Sequence, residues 1–285
     1  MNWIESIGRA INYIEDNLES DLRIEDVASQ ALISPFYFQK AFSLLCDFTV
    51  GEYIRNRRLS AAGRDVLTTD ERIIDIAMKY GYDSPDSFTK AFTRFHGSTP
   101  SAVRKDGQAI KTFAPLQLKI ILEGGFIMDY KIVEKEAFKV IGSSKMFNME
   151  SSYHEIPEFW TQHYQRGYGK YISGMYGVCI ESNESNKEFE YLIADDYRED
   201  RKLPEQFKVF EIPKHTWAIF PCVGPMPKAL QNVNSKIFSE WLPNCKDYQL
   251  GGGYNVEFYS CPSDYKDGTQ DEKYYSQIWI PLVRK

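Results

Sequence analysis

Apolar residues recur at helical spacing in the first part of the chain, as Ile4, Ile7, Ile11, Ile14 and Leu18 and again as Leu59, Ala62 and Val66. Later the rhythm changes. Tyr130 to Ile141, Met175 to Ile180, Phe189 to Ala194, Phe207 to Phe220, Tyr254 to Tyr259 and Tyr274 to Ile280 are short alternating or β-rich runs broken by Gly and Pro. The pattern predicts two domains, residues 1–110 all-α and residues 126–285 α+β, with a linker at 111–125 and the boundary near Gly124 and Gly125. The linker holds Pro115 and the apolar positions Leu116, Leu118, Ile120, Ile121 and Leu122, so part of it is expected to pack.

Each domain repeats itself. Ser34-Pro35, Phe38 and Lys40-Ala41-Phe42 return fifty residues later as Ser84-Pro85, Phe88 and Lys90-Ala91-Phe92, and Val27-Ala28 returns as Ile76-Ala77. Ser accepts from free N–H groups at an N-cap, and Pro at the first helical position gives up a donor that had no partner. Each copy therefore has the layout of a helix-turn-helix. In the second domain Lys131-Ile132-Val133-Glu134 returns as Lys208-Val209-Phe210-Glu211 after 77 residues, and Tyr176-Gly177-Val178 with Ser182 as Tyr254-Asn255-Val256 with Ser260 after 78. Helical stretches, Pro157 to Arg166 and Met226 to Leu242, lie between. This predicts two duplicated strand-helix-strand-strand units around a cleft on a pseudo-axis. An all-helical bundle and an ordinary α+β sandwich with an aromatic core explain the same patterns without any ligand.

The faces of the two Ser-Pro helices favour DNA. Phe38, Ala41, Phe42 and Leu45 form the expected core stripe of the first, which leaves Phe36, Gln39, Lys40 and Ser43 outside; in the second, Phe88, Ala91, Phe92 and Phe95 leave Asp86, Ser87, Lys90 and Arg94. Gln pairs bidentately with adenine, Lys reaches guanine or phosphate, and Phe packs on a thymine methyl. Gly51 to Leu67 reads as one helix, about 25 Å long at ~1.5 Å per residue, joining the two readers. A net charge of -6 opposes binding by bulk charge, so local clusters must supply the affinity: Arg55, Arg57, Arg58 and Arg64, and Lys90, Arg94, Arg104 and Lys105.

Residues 1 to about 105 resemble the DNA-binding domain of AraC-type transcription regulators. The resemblance rests on Ile73-Ile74-Asp75-Ile76-Ala77, Gly81-Tyr82, Ser84, Phe88, Lys90-Ala91-Phe92 and Phe95-His96-Gly97-Ser98-Thr99-Pro100-Ser101. It implies a monomer that places Ser34, Phe36, Gln39 and Lys40, then Ser84, Asp86, Ser87 and Lys90, on double-stranded DNA. Arg23 and Arg72 stand where a Ser often opens the first helix of each unit. Most of residues 126–285 resemble the GyrI-like effector-binding domain, through Ile212-Pro213-Lys214-His215-Thr216-Trp217, Phe220 to Pro227, Glu240-Trp241-Leu242-Pro243, Val256-Glu257 and Ile278-Trp279-Ile280-Pro281. The domain order is similar to that of Rob-type regulators. This resemblance implies an aromatic cleft for a small amphipathic or aromatic effector, with Trp160, Tyr176, Trp217, Glu257, Tyr259, Gln277 and Trp279 as its expected lining. Gln277 replaces the usual acid, so neutral ligands are expected to bind at least as well as lipophilic cations unless Glu257 or Glu190 turns into the cleft.

Other chemistry finds little footing. Five scattered cysteines form no Cys-x-x-Cys pair, the histidines lack the spacing of a helical metal site, and no nucleophile elbow or phosphate loop occurs. No cofactor is expected, and no enzyme, although a hydrolase using Glu190 or Glu257 as base and a protein-docking role for the second domain are the rival readings. The start of the chain reads as not exported, and the scattered cysteines fit a reducing cytoplasm, so a cytoplasmic protein is expected. RNA polymerase is a third candidate partner, and no membrane partner is expected.

Overall fold

The computed structural model describes residues 3–117, 128–181, 188–200 and 203–285. The expected boundary at Gly124-Gly125, the apolar positions from Leu118 to Leu122, and Ser182 lie outside the described residues. Contacts divide the chain into two compact units, Met1–Pro35 with Cys46–Leu122, and Phe36–Leu45 with Glu123–Lys285. The helices in chain order are α1 (Trp3–Asp16), α2 (Ile24–Ala31), α3 (Pro35–Cys46), α4 (Val50–Thr68), α5 (Ile73–Lys79), α6 (Pro85–His96) and α7 (Pro100–Asp106).

In the first unit the duplication extends to the helix caps. Arg23 and Arg72 stand at the N-caps of α2 and α5 without a capping side-chain bond, and each pairs instead with the acid three residues on, Asp26 at 3.1 Å and Asp75 at 2.6 Å. Thr49 caps α4 in a reciprocal box with Glu52, and Thr99 caps α7. A core of Leu59, Ala62, Val66, Ile76, Ala77, Phe88, Phe92 and Val103 joins α4 to the second helix pair. Gly63 lets the His96 ring lie against α4, where a Cβ would meet it at 2.6 Å. His96 Nδ1 accepts from the Lys111 amide at 3.1 Å, so Nε2 donates to the Leu59 carbonyl at 3.0 Å; burial holds the imidazole below its usual pKa, in this neutral form.

The expected arginine patch on α4 is smaller than the sequence suggests. Arg57 grips Glu15 through Nε and Nη2, the latter at 2.6 Å, and Arg58 donates to the carbonyls of Leu18 and Ser20. These two guanidinium groups hold α1 and its following turn against α4, which leaves Arg55 and Arg64 exposed. Burial pushes the Glu15 carboxyl up, but hydrogen bonds from Arg57 and Tyr53 and the Arg57 charge outweigh it and hold the group below its usual pKa. The start of the linker packs as expected: the Phe113 amide donates to Ser60 Oγ and the Leu116 amide to the Tyr53 hydroxyl.

Both helix-turn-helix turns need a left-handed residue. The second uses Gly81 (φ 79°), whereas the first uses Leu32 (φ 58°, ψ 37°), whose side chain is 65% exposed. A non-glycine residue there costs roughly 1–2 kcal/mol, partly offset in a glycine variant by greater freedom of the unfolded chain. Leu32→Gly is therefore expected to raise stability by about 0.5 kcal/mol. Urea unfolding of the full chain checks this, and a lower midpoint would show that Leu32 is held by contacts worth more than the strain.

The second unit is built on one antiparallel sheet. Its strands are β1 (Lys131–Lys135), β2 (Phe138–Asn148), β3 (Tyr176–Glu181), β4 (Glu188–Asp196), β5 (Lys208–Ile212), β6 (His215–Val223), β7 (Tyr248–Leu250), β8 (Tyr254–Tyr259) and β9 (Tyr275–Arg284), with α8 (Ser152–Gln165) and α9 (Lys228–Lys236). The order β1-β6-β9-β8-β3-β4-β2-β5, with β7 beside β9, is a palindrome under the duplication. Val178 pairs with its own repeat mate Val256 at the pseudo-axis. Each half carries one more strand before its helix than the expected strand-helix-strand-strand unit. The runs read as single, 130–141 and 207–220, break at Glu136-Ala137 and Pro213-Lys214 into the pairs β1–β2 and β5–β6.

Candidate functional site

The side chains expected to line one cleft lie on two faces of the sheet. Strand residues alternate in direction, and the register pairs Glu257 with Gly177 and Ile278 but Phe258 with Gln277. Glu257 and Tyr259 therefore point to one face, and Gln277, Trp279, Tyr176 and Trp217 to the other. Trp160, on α8, joins the first group.

On the Glu257 face, four side chains form a chain of hydrogen bonds. Trp160 Nε1 donates to the Tyr191 hydroxyl at 3.1 Å, Tyr191 donates to Glu257 Oε2 at 3.2 Å, and Tyr259 donates to the same oxygen at 2.7 Å. The Trp160 and Tyr259 rings meet edge-on at 5.5 Å. Gly177 makes the junction possible, since a Cβ there would overlap the Tyr191 hydroxyl and reach Glu257 Oε2 at 3.0 Å. Burial first, and then the Glu257 charge, drive both phenols well above their usual pKa, so they remain donors. The result is a half-exposed carboxylate walled by aromatic rings, which can hold a positively charged group. Tyr191 was not among the expected residues; its alternation with Phe189 and Ile193 along β4 was the available signal.

The opposite face holds a packed aromatic core. Trp217, buried completely, lies 6.1 Å from Trp279, and Tyr176 lies 6.1 Å from Trp279 on another side. Gln277 is engaged: its amide donates to the Tyr275 hydroxyl at 2.7 Å and its carbonyl accepts from Trp279 Nε1 at 2.7 Å. Lys135 Nζ stands 4.4 Å from the Trp279 ring centroid, so this face already carries a cation. Tyr176, Trp217 and Trp279 thus belong to the core, with the half-buried Gln277 on the same face, and none of the four to the Glu257 site. Glu190, the other candidate base of the hydrolase reading, pairs across from Ile180 and so lies on this side, opposite Glu257.

The two expected DNA faces differ. On α6, Ser84, Asp86, Ser87 and Lys90 are exposed, with Ser84 Oγ accepting from the Ser87 amide at 3.2 Å. On α3 two of the expected outer residues are covered, Phe36 at 4% and Gln39 at 8% exposed, and Lys40 and Ser43 are half-buried, while Leu45, expected in the core, is 38% exposed. Lys40 Nζ donates to Asn255 Oδ1 at 2.7 Å. The reason is packing by residues of the same unit, including Phe189, whose ring lies 5.6 Å from that of Phe36. Among the described residues no group of three His, Cys, Asp or Glu side chains is placed to hold a metal, and no helix is long and apolar enough to cross a membrane.

Residues 131–282 match a family model described as integron-associated effector binding protein, and residues 27–106 match a helix-turn-helix domain model. The chain is 33% identical to the transcriptional activator AarP of Providencia stuartii over 114 residues, 40% of this chain and 84% of AarP. It is 38% identical to the regulatory protein SoxS of Salmonella typhimurium over 104 residues, 36% of this chain and 97% of SoxS. With the right origin-binding protein of Escherichia coli it shares 31% identity over 150 residues, 52% of this chain and 50% of that protein.

Proposed function

The chain belongs to the integron-associated effector-binding family and carries an AraC-type helix-turn-helix domain ahead of that one, as a DNA-binding transcription regulator; from this premise we propose that its effector is a small aromatic cation. The observation that carries the proposal is the Glu257 carboxylate held by Tyr191 and Tyr259 beside Trp160. The expected preference for neutral ligands followed from Gln277, which lies on the opposite face of the sheet, so it does not govern this site. Aromatic faces and a carboxylate attract the same ligand, the rings by their quadrupole and the carboxylate by its charge. An effector with different affinity for two states of the protein then shifts its activity on DNA.

Ser84, Asp86, Ser87 and Lys90, all exposed, form the second reading face, and Ser34, Phe36, Gln39 and Lys40 form the first when α3 is uncovered. The domain at 1–110 acts as a monomer in the cytoplasm on a bipartite site, and RNA polymerase is the partner an activator would require. Footprinting is expected to show two protected major-groove segments about one turn apart, roughly 34 Å. Lys90→Ala is expected to weaken binding to all sequences about equally if its ammonium holds phosphate, and to reduce the salt slope by about one. A single protected segment would overturn the bipartite geometry.

A further inference from the structure

The first reading helix is occupied. Phe36 donates its backbone N–H to Glu181 Oε1 at 3.3 Å, the Tyr37 hydroxyl donates to the Tyr254 carbonyl, and Lys40 donates to Asn255 Oδ1 at 2.7 Å. Glu181, Phe189 and Asn255 all come from the face of the sheet that carries Glu257, on β3, β4 and β8. These contacts are specific. Asn255 is fully buried, and its Nδ2 donates to the Trp279 carbonyl at 3.3 Å, which turns Oδ1 towards Lys40. The Phe36 amide sits in the first turn of α3, where N–H groups have no partner within the helix, and Glu181 puts a carboxylate at that positive end.

We propose that this sheet face is a docking surface for the chain's own first reading helix, and that docking and DNA reading by α3 exclude each other. The proposal rests on the reading of α3 as a DNA-contacting helix. Phe36 and Gln39 cannot face a major groove while they are covered by protein, nor can Lys40 while it is held by Asn255, so the affinity for DNA is reduced by the fraction of molecules in which the helix is docked. Effector and helix share the face: Asn255 and Glu257 are two residues apart on β8, about 7 Å. A cation bound at Glu257 stands close to the Lys40 ammonium and repels it, which favours release of the helix.

The test uses the full chain and two variants, Glu181→Ala at the half-exposed end of β3 and Asn255→Ala, with hydrogen exchange at residues 36–45 and affinity for a DNA fragment selected from random sequence as readouts. Both variants are expected to speed exchange of the Phe36 amide and to tighten DNA binding roughly tenfold, the scale of one lost charge-assisted hydrogen bond. Benzyltrimethylammonium added to the wild type is expected to move both readouts in the same direction. Glu181→Ala with unchanged exchange and unchanged DNA affinity overturns the docking, and this variant decides because Asn255 is itself buried. Lys40→Ala and Lys90→Ala, measured in the Glu181→Ala background, test the DNA reading separately. If exchange rises but neither lysine matters to DNA, the helix docks and the exclusion is overturned; if both lysines matter and Glu181→Ala changes nothing, the DNA reading survives and the docking is overturned.

Discussion

Glu257→Gln is expected to cost a quaternary aromatic ligand about 100-fold in affinity while changing that of a neutral ligand of the same shape by less than about threefold. Removing one member of a buried charge pair costs ~3–5 kcal/mol, and Glu257 is half exposed, so about 2–3 kcal/mol is the appropriate scale. The rings of Trp160, Tyr191 and Tyr259 remain in the variant and recover only ~0.5–2 kcal/mol each. Gln277→Glu serves as the contrast. Position 277 lies on the other face, where Tyr275 and Trp279 already satisfy its amide and Lys135 stands over Trp279, so a new carboxylate there is expected to leave the ligand's charge preference unchanged. Calorimetry with matched ligands measures both. Equal losses for the neutral and charged ligands in Glu257→Gln would mean that the carboxylate shapes the site without pairing with a charge.

The helical half was legible because its signals are local. Ser84-Pro85 marks the start of α6, the repeat in the following residues marks its core face, and both rest on spacings of a few residues. The strands gave up half as much. Period-two alternation correctly groups Asn255 with Glu257 and Tyr259, and Tyr275 with Gln277 and Trp279. It does not say whether the two groups share a side, because that depends on the register between β8 and β9, and a shift of one residue reverses the answer. The extra strand in each half was hidden for a related reason: β1–β2 and β5–β6 are separated by only two residues, too few to interrupt a β-rich run.

The burial of α3 could not be read from its own sequence. Phe36, Gln39 and Lys40 form a polar-aromatic face that suits either a groove in DNA or a polar protein surface, and the partners that decide between them are 145 residues away at Glu181 and 215 away at Asn255. Composition was equally ambiguous about the arginines of α4. Their cluster reads as a phosphate-binding patch, but Arg57 and Arg58 are committed to Glu15 and to two carbonyls of the turn after α1. Which surface cations are free for a ligand is a tertiary property.

Asp195→Ala is expected to destabilise the second unit by about 3–5 kcal/mol, a large part of the ~5–15 kcal/mol that holds a domain folded. Asp195 is 6% exposed and its carboxylate accepts four hydrogen bonds: from the Ser173 amide at 2.8 Å, the Ser173 hydroxyl at 2.9 Å, the Gly174 amide at 2.9 Å and the Met175 amide at 3.0 Å. A buried donor left without an acceptor, as at Gly174, costs ~1–3 kcal/mol, and the donors of the exposed Ser173 cost less because water reaches them. Asp195→Asn keeps the shape but brings an NH2 group against a set of donors, so it is expected to cost about 2 kcal/mol. The effect reaches the ligand site through Gly174, which adopts φ 81° and lies so close to Trp160 that a Cβ would overlap the indole. Loosening residues 173–175 removes the backing of Trp160, and at temperatures where Asp195→Asn remains folded its affinity for a quaternary aromatic ligand is expected to fall roughly tenfold, the equivalent of ~1.4 kcal/mol. Urea unfolding followed by tryptophan fluorescence, with calorimetry on the folded variant, measures the two effects. Loss of stability with full ligand affinity would separate the loop from the site, and an Asp195→Ala protein within about 1 kcal/mol of wild type would mean that water replaces the carboxylate at all four donors.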